Sequence, residues 1–378
     1  MTFLKKVELN FLKLPLKNPF QISFGTQYYN ESILLKLTTS EGLIGWGEIP
    51  VTFDPGYCYE TVSTAHHILK DFILPIVKKE NSSNEFIDIN QWLDTFPTLV
   101  HEIRGHQFAK SGLDFCLWNI KSEIEKKQLP DLLGATKKQL RVGISIGIEK
   151  NPKKMVRNVE KALESKYARI KIKIGPNKDL DVLKLLRQEL GDFPLMVDAN
   201  SAYTLDDMDT LEKFDRYDLM MIEQPLSYDD IIDHSVLQKK LSTPICLDES
   251  IHSLEDVRKA HYLEACKIIN LKPSRVGGIT ESLKIIDYCH KNNLGLWCGG
   301  MLETGIGRIV NVAIQANEKF TYPGDTSPSQ RFYAEDIIDP EVTMNFDTGL
   351  VNVYQSYAVL EDKIKKYSTK QITVNLQD

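Results

Sequence analysis

Five charged residues recur through the middle of the chain at nearly equal intervals. Each ends a short apolar run, and successive members are 25, 25, 25 and 24 residues apart. They are Lys173, Asp198, Glu223, Asp248 and Lys272. A repeat of this length matches one strand, one helix and two loops of a parallel βα array. In a barrel of such units the functional groups lie at the carboxyl ends of the strands, which is where all five are predicted to stand.

Three of the five are carboxylates on consecutive predicted strands: Asp198, Glu223 and Asp248. Side by side at one rim, they would repel one another strongly in a site of low dielectric constant. A divalent cation removes that repulsion. Oxygen ligands without a nearby Cys or His favour Mg²⁺ over zinc, with Mn²⁺ or another divalent cation as the alternative. One rim aspartate would be explained equally well by a salt bridge or helix cap, but three at matched positions predict a metal site.

The two lysines are predicted to face each other. Lys173 ends the second strand and Lys272 the sixth, so they stand four strands apart in a ring of eight. A metal-bound substrate carboxylate would present its α-carbon between them. Metal charge and partial burial lower a lysine pKa, which makes the amine a general base, and the cation stabilises the enediolate that forms. Lys171, two residues before Lys173, points to the same face and would tune its pKa. The alternative is a strand with exposed lysines.

Further polar residues follow the predicted strand ends. Ser145 ends the first strand and is predicted to hydrogen-bond a substrate carboxylate, the alternative being a serine that satisfies the backbone. Asn200 and Glu249 follow strands that carry metal ligands, and they would orient those ligands through contacts with them rather than by binding the metal.

The seventh strand is followed by a glycine-rich turn. Gly299, Gly300 and Met301 are predicted to let the backbone approach a ligand closely. Glu303 would support these three residues without contacting the ligand, or it would serve as a carboxylate at the start of a helix. The glycines of GGMLETGIG do not form the dinucleotide fingerprint, and the sequence contains no GxxxxGK[ST] phosphate loop.

The alternation of residue types along the chain predicts the strands and helices that hold these residues. From about Arg141, short β-branched runs alternate with amphipathic stretches, which is typical of parallel βαβ units. The predicted strands are VGISI, RIKIKI, PLMVDA, LMMIEQ, PICLDE, KIINLK, LGLWCG and KFTYPG. Eight strands indicate an α/β fold with a closed TIM-like barrel of the (β/α)7β type.

The two flanking regions predict a second domain of α+β character. In SILLKLTTSEGLIGWGEIP, two β-rich runs flank the turn Ser40-Glu41-Gly42, which indicates a hairpin, and helical spacing follows in TVSTAHHILKDFILPIV and GHQFAKSGLDFCLWNIKSEIEKK. After Asp325 the repeat ends and short strands with Pro/Gly turns predict a return to the first domain. The expected boundaries are 1–130 for this capping domain, 131–325 for the barrel and 326–378 for the returning segment.

Composition narrows the class of protein. A chain of 378 residues with 42% hydrophobic and 26% charged residues suits two globular domains. The net charge of −6 and the lack of a basic cluster favour a small-molecule partner over nucleic acid. Six scattered cysteines without a CxxC pair predict buried thiols in a reducing compartment. No run approaches the ~20 apolar residues of a membrane-spanning helix, and no signal peptide is recognised, so the predicted location is the cytoplasm.

These motifs resemble the enolase superfamily, muconate-lactonising subgroup. The resemblance rests on KIK, VDANSAYT, IEQPL, CLDES and NLKPSRVGG, and covers essentially the whole chain. WCGGMLETGIGR and PGDTSPSQRFYAEDI are similar to the branch of o-succinylbenzoate synthases and N-acylamino acid (N-succinylamino acid) racemases. The resemblance implies that Lys173 and Lys272 are the acid/base pair, that Lys171 assists Lys173, and that the three carboxylates bind Mg²⁺.

The resemblance also implies that loops of the capping domain select the substrate. By position these are residues 20–29 and 53–59, with Phe24, Tyr29, Phe53 and Tyr57 as expected wall residues. A homo-oligomer, either dimer or octamer, is the implied assembly.

The implied reaction is that of an o-succinylbenzoate synthase. The enzyme dehydrates 2-succinyl-6-hydroxy-2,4-cyclohexadiene-1-carboxylate to o-succinylbenzoate in menaquinone biosynthesis, and N-succinylamino acid racemisation is a second activity of the branch. Dehydration can use one lysine as base and acid, whereas racemisation needs both, so the lysine pair does not decide between them. Arg275 occupies a position associated in this branch with racemase capability; its alternative is a rim arginine paired with an acid.

Other functions use the same machinery. A dedicated racemase or a dipeptide epimerase is the nearest alternative, although Gly324-Asp325-Thr326 only partly resembles the acidic motif of epimerases. Muconate cycloisomerisation ranks below these. A catalytically silent ligand-binding barrel would have lost a metal ligand or a lysine, and all five are present.

Overall fold

The architecture combines an antiparallel sheet with a parallel sheet surrounded by helices. The computed structural model describes residues 3–22, 25–83, 88–149, 151–176, 179–353 and 356–377. None of the helices in these ranges is long and apolar enough to cross a membrane. All six cysteines are free thiols; the prediction that they are buried is confirmed for five of them, and Cys58 is half-buried.

The N-terminal region is a meander of strands followed by helices. Its elements are β1 (Leu4–Ile22), β2 (Gly25–Thr39), β3 (Ile44–Ile49), α1 (Val62–Ile68), a π-helical stretch (Leu69–Ile73), α2 (Leu74–Ser83), α3 (Ile89–Leu99), α4 (Gln107–Glu125), α5 (Leu129–Leu132) and β4 (Gln139–Arg141). The predicted hairpin is confirmed, because β2 and β3 pair antiparallel across Ser40-Glu41-Gly42. Gly42 has φ of 85°, a conformation that favours glycine in the turn.

Helix α4 packs directly on this sheet. All of its residues from Phe108 to Trp118 are buried, including the charged Lys110 and Asp114. A side chain on Gly47 of β3 would collide with the carbonyl oxygen of Gly112 on α4, so the two glycines allow the sheet and the helix to approach closely.

The barrel follows as seven successive strand–helix units. They comprise β5 (Gly143–Ile146), α6 (Pro152–Glu164), β6 (Arg169–Lys173), α7 (Asp179–Leu190), β7 (Leu195–Asp198), 3₁₀ turns (Leu205–Asp207 and Glu212–Tyr217) around α8 (Met208–Leu211), β8 (Ile222–Glu223), α9 (Ile232–Gln238), β9 (Ile245–Leu247), α10 (Leu254–Tyr262), β10 (Ile268–Leu271), α11 (Ile279–Lys291), β11 (Gly295–Cys298) and α12 (Gly305–Gln315). Strands β5 to β11 form one parallel sheet in sequence order. The predicted (β/α)7β architecture is thereby confirmed.

The eighth position of the ring is irregular. The segment predicted as the strand KFTYPG donates from Tyr322 N–H to Leu296 O on β11 at 3.2 Å, and Asp325 N–H donates to Cys298 O at 2.9 Å. On its other side Gly143 N–H of β5 donates to Gly324 O at 2.8 Å. The segment therefore closes the ring by hydrogen bonds on both sides, without forming a regular strand.

The remaining chain returns to the N-terminal sheet. It contains a 3₁₀ turn (Ser329–Arg331), β12 (Ile338–Asp339), β13 (Met344–Asn345), β14 (Leu350–Asn352), β15 (Ala358–Val359), α13 (Glu361–Tyr367) and β16 (Ser368–Asn375). Strand β16 pairs antiparallel with β1, and β14 pairs with β4. The first sheet therefore has the order β16-β1-β2-β3 and includes both ends of the described chain.

Candidate active site

Aligned strand ends bring the periodic residues to one rim. Lys173 on β6 is the register partner of Asp198 on β7, which in turn neighbours Glu223 on β8. Asp248 and Lys272 come directly after β9 and β10. All five side chains are at least nine-tenths buried except that of Lys173, which is 11% exposed.

The ammonium of Lys173 lies in a polar chain at the β6–β7 side. It donates to Asp198 Oδ2 at 2.5 Å and to Asn200 Oδ1 at 2.6 Å. Asn200 Nδ2 then donates to Glu249 Oε1 at 2.9 Å. Burial and the charge of Asp198 raise the pKa of Glu249. The hydrogen bonds of Asn200 and Glu249 therefore restrain Lys173 and Asp198, while the roles predicted for Asn200 and Glu249 stay predictions.

Lys171 stands beneath Lys173 among three acids. Its ammonium lies 2.9 Å from Asp325 Oδ2, 3.1 Å from Glu223 Oε2 and 3.4 Å from Asp198 Oδ2. Burial alone would lower its pKa, but these carboxylates raise the pKa above its ordinary value. Lys171 is consequently a fixed cation, whose charge stabilises the acids and disfavours a second positive charge nearby.

Lys272 lies in a second cluster on the opposite side. Its ammonium donates to Asp248 Oδ2 and to the hydroxyl of Tyr57, both at 2.9 Å. Burial would lower the pKa of Lys272, but Tyr57, Glu249 and Glu223 raise it.

Arg275 does not line the cavity as a substrate contact. The structure matches the alternative stated for it, because its guanidinium forms an ion pair with Asp248 and donates to Ile251 O at 2.7 Å. It also donates to the Tyr57 hydroxyl at 3.1 Å. Arg275 thus positions Asp248 and Tyr57, the tyrosine that contacts Lys272. It would affect a bound substrate only indirectly, through these two residues.

The three carboxylates fit a hard divalent cation by chemistry and position. They stand on adjacent strands, and burial and the charge of Asp198 raise the pKa of Glu223. Asn270 Oδ1 and Glu249 Oε2 nearby are buried without a hydrogen-bond partner among the described residues. Within those residues, no group of three His, Cys, Asp or Glu side chains that could hold a metal ion is found. Each of the three acids contacts a lysine or an arginine. The metal-ligand assignment therefore stays a prediction.

A cavity opens above this rim between the barrel and the N-terminal domain. It has about 850 Å³ of atom-free space, a figure that includes the open solvent at its mouth. Its lining includes the predicted residues Tyr57, Ser145, Lys171, Lys173, Asn200, Lys272, Gly300, Met301 and Glu303. Ser145 Oγ is buried without a partner among the described residues, so it has a donor available for a ligand.

Other predicted residues are placed elsewhere. Gly299 lies against the side chain of Asn270, with which any Cβ would collide, so its role is close packing rather than ligand contact. Phe53 is 74% exposed and Tyr29 46% exposed, and neither lines the cavity. These corrections arise because loop positions do not determine which way a side chain faces. Phe24 lies outside the described residues.

Sequence reasoning missed several lining residues. Asp325 forms ion pairs with Arg169 at 2.5 Å and with Lys171. Arg308, Arg331 and Phe332 also line the cavity. The available signals were two motifs: Arg308 ends WCGGMLETGIGR, and the other three residues lie in PGDTSPSQRFYAEDI. No periodic pattern marks any of them.

Taken together, the rim places amines and carboxylates around one cavity. Lys173 approaches from β6 and Lys272 from β10, with the three acids between them. Such a site can remove a proton from the carbon beside a carboxylate and return it to a leaving group or to the other face.

Two family models match the chain. The model for the N-terminal domain of mandelate racemase / muconate lactonizing enzyme matches residues 6–134, and the model "Enolase C-terminal domain-like" matches residues 154–354. They cover the N-terminal domain and the barrel in turn.

Individual relatives align over most of their length. The o-succinylbenzoate synthase of Bacillus subtilis (strain 168) is 41% identical over 98% of this chain and 98% of its own. An N-succinylamino acid racemase of Amycolatopsis is 38% identical over 90% of each chain. The crystal structure of an enolase superfamily member from Listeria innocua matches with a TM-score of 0.93 at 37% identity and full coverage of both chains.

Proposed function

The chain belongs to the enolase superfamily, and on that premise we propose that it is an o-succinylbenzoate synthase that also racemises N-succinylamino acids. The observation that carries the proposal is the shared cavity of Lys173 and Lys272, reached from strands four apart in the ring. The similarity to synthases across both domains supports the choice of substrate.

In the dehydration, Lys173 acts first as base and then as acid. As a neutral amine it takes the proton from C1 of 2-succinyl-6-hydroxy-2,4-cyclohexadiene-1-carboxylate. The C6–O bond then breaks, and the proton leaves with the hydroxyl group as water, which completes the aromatic ring. Lys272, held by its hydrogen bonds to Asp248 and to the Tyr57 hydroxyl, acts as an ammonium that stabilises the negative charge developing on the substrate carboxylate.

Asp198, Glu223 and Asp248 would hold the divalent cation, which we infer to be Mg²⁺. When bound, the cation neutralises the substrate carboxylate and makes the adjacent C–H more acidic. Asn200 and Glu249 fix the orientation of Lys173 and Asp198 through their hydrogen bonds.

Racemisation is supported by the second lysine, which faces the same cavity. Dipeptide epimerisation is less well supported, because Asp325 is already paired with Arg169 and Lys171 and is thus not free for a substrate ammonium group. A silent barrel is disfavoured by the retention of both lysines and all three acids.

The experiment that tests the proposal uses D₂O with Mg²⁺. The protein is incubated with the cyclohexadiene substrate, with N-succinylamino acids and with a dipeptide, while aromatic product and α-deuterium are followed by NMR. We expect the aromatic product and deuterium exchange in N-succinylamino acids. Absence of the aromatic product would refute the synthase activity. Formation of the aromatic product without deuterium exchange in N-succinylamino acids would refute the racemase activity alone.

The environment and assembly are also proposals. The six free thiols support a cytoplasmic location. A homo-oligomer, dimer or octamer, is supported by the exposed apolar residues Tyr228, Ile232 and Val236, which are spaced four apart near and on α9. Light scattering after size exclusion will give the mass, and a monomer would contradict this inference.

A further inference from the structure

The cavity contains two arginines in addition to the lysines and their acids. Arg308 on α12 is 2% exposed, and Arg331 ends the 3₁₀ turn that follows the barrel. Both line the cavity. In the part of the chain that the structure describes, no carboxylate oxygen lies within the 4.0 Å ion-pair distance of either guanidinium.

Neutral oxygens alone accept hydrogen bonds from these guanidiniums. Arg308 donates to Ser327 O at 2.6 Å and to Glu303 O at 2.9 Å, while its Nε has no partner among the described residues. Arg331 donates to Ser327 Oγ at 3.2 Å and to Ser145 O. Burial lowers the pKa of Arg331. A buried and a half-buried cation without an ion-pair partner are unfavourable, and a bound anion would relieve that cost.

The two acids that line the cavity are occupied elsewhere. Asp325 is paired with Arg169 and Lys171. The carboxylate of Glu303 accepts from Met301 N–H and from Asn311 Nδ2, both at 2.8 Å. A ligand can therefore supply the negative charge that these residues lack.

The arginines occupy one side of the cavity. The Phe332 ring lies beside both, with its centroid 4.9 Å from Arg331 Cζ and 5.2 Å from Arg308 Cζ. Arg331 contacts the carbonyl of Ser145 on β5, and Ser145 is the register partner of Lys171 on β6. The arginine side is thus the β5–β6 side, next to Lys173 and away from Lys272 on β10.

We propose that Arg331, supported by Arg308, binds the second carboxylate of the substrate, the one remote from the reacting carbon. The inference rests on the proposed function, because the cyclohexadiene substrate, o-succinylbenzoate and N-succinylamino acids all carry a succinyl carboxylate in addition to the carboxylate at the reaction centre. A guanidinium presents paired N–H donors that match a carboxylate. Arg331 thereby selects dicarboxylates over monocarboxylates.

The test measures binding of two ligands by calorimetry in the presence of Mg²⁺. One is o-succinylbenzoate, and the other is 2-butanoylbenzoate, in which a methyl group replaces the terminal carboxylate. The unmodified protein should bind the diacid about 10- to 100-fold more tightly, as expected for a charged hydrogen-bonded contact. This comparison requires no variant to fold.

The variant Arg331→Gln should lose most of this preference, and Arg331→Lys should retain part of it. Binding of 2-butanoylbenzoate should be the same in all three proteins. Arg258→Gln, which removes an exposed arginine paired with Glu255 on α10, is the matched control and should keep the full preference.

The possible outcomes separate the two proposals. The carboxylate site would be overturned if the unmodified protein bound both ligands with equal affinity. It would also be overturned if Arg331→Gln lost affinity for both ligands by the same factor. Neither result would contradict a measured synthase activity. A protein that neither binds o-succinylbenzoate nor forms it would overturn the proposed function and the site together.

Discussion

The carboxylate of Glu48 on β3 accepts a hydrogen bond from the Thr304 hydroxyl at 2.8 Å and another from its backbone N–H at 3.1 Å. Gly307 N–H donates to the same carboxylate at 3.0 Å. Since Thr304 precedes α12 and follows the cavity residues Gly300 and Met301, one buried acid of the N-terminal sheet fastens both the start of a barrel helix and the adjacent wall of the site.

Glu48 gives stability a pH dependence. Burial raises its pKa from 4.5 to about 7. Because the folded pKa is the higher one, the stabilisation is complete below pH 4.5 and is lost as pH rises through about 7. In Glu48→Gln this loss is absent, so the difference in unfolding free energy between the two proteins should change by roughly 2–3 kcal/mol across that range.

Urea unfolding at several pH values measures this difference. Glu60 and Asp114, whose pKa values burial raises to about 7 and about 6, remain in both proteins and cancel in the comparison. Parallel curves for the two proteins would contradict the role assigned to Glu48.

Lys173→Ala should lower kcat by about 10²- to 10⁴-fold, because the variant lacks the proposed base. Both aromatic product formation and deuterium exchange should fall. Lys284→Ala on α11, whose side chain is 53% exposed, removes a lysine remote from the cavity and should retain full activity. Activity of Lys173→Ala equal to that of this control would contradict the mechanism.

Removal of divalent cations with EDTA should abolish activity, and Mg²⁺ should restore it. At a Mg²⁺ concentration 100 times its dissociation constant, the folded protein should gain about 2.7 kcal/mol in unfolding free energy. In Asp198→Asn, Mg²⁺ should raise the unfolding free energy by less, because this variant lacks the charge of one proposed ligand. In the exposed variant Asp287→Asn, Mg²⁺ should raise it by as much as in the unmodified protein. Thermal unfolding with and without Mg²⁺ measures the increase in each protein.

Activity that is indifferent to EDTA would refute the metal site.

Asp325→Asn should destabilise the protein by roughly 3–5 kcal/mol, because it leaves the buried cations Arg169 and Lys171 without a principal counter-charge. The matched control is Asp287→Asn, whose partner Lys319 is partly exposed and whose loss should cost at most about 1 kcal/mol. Urea unfolding compares the two variants. Similar losses would show that the Asp325 pair is no stronger than a surface ion pair.

The seven regular barrel strands and the rim positions were predictable because their signal is local. A run of β-branched residues followed by a polar strand end repeats about every 25 residues, and parallel register aligns such ends automatically. Lys173, Asp198 and Glu223 are accordingly neighbours in the structure as in the prediction. The eighth position lacked this regularity, and the segment around Gly324 is held by hydrogen bonds to its neighbours rather than by strand propensity.

The sequence by itself therefore determined the fold class and which charged residues share the rim. Only the tertiary structure decided which charges compensate one another. Tyr57 comes from a loop 215 residues away from Lys272 in the chain, yet it contacts that lysine and Arg275. Arg331 comes from beyond the last barrel unit and faces the cavity beside β5. The physical reason is that periodicity encodes which face of a strand is buried, whereas the partner of a buried charge depends on which distant loops fold over it.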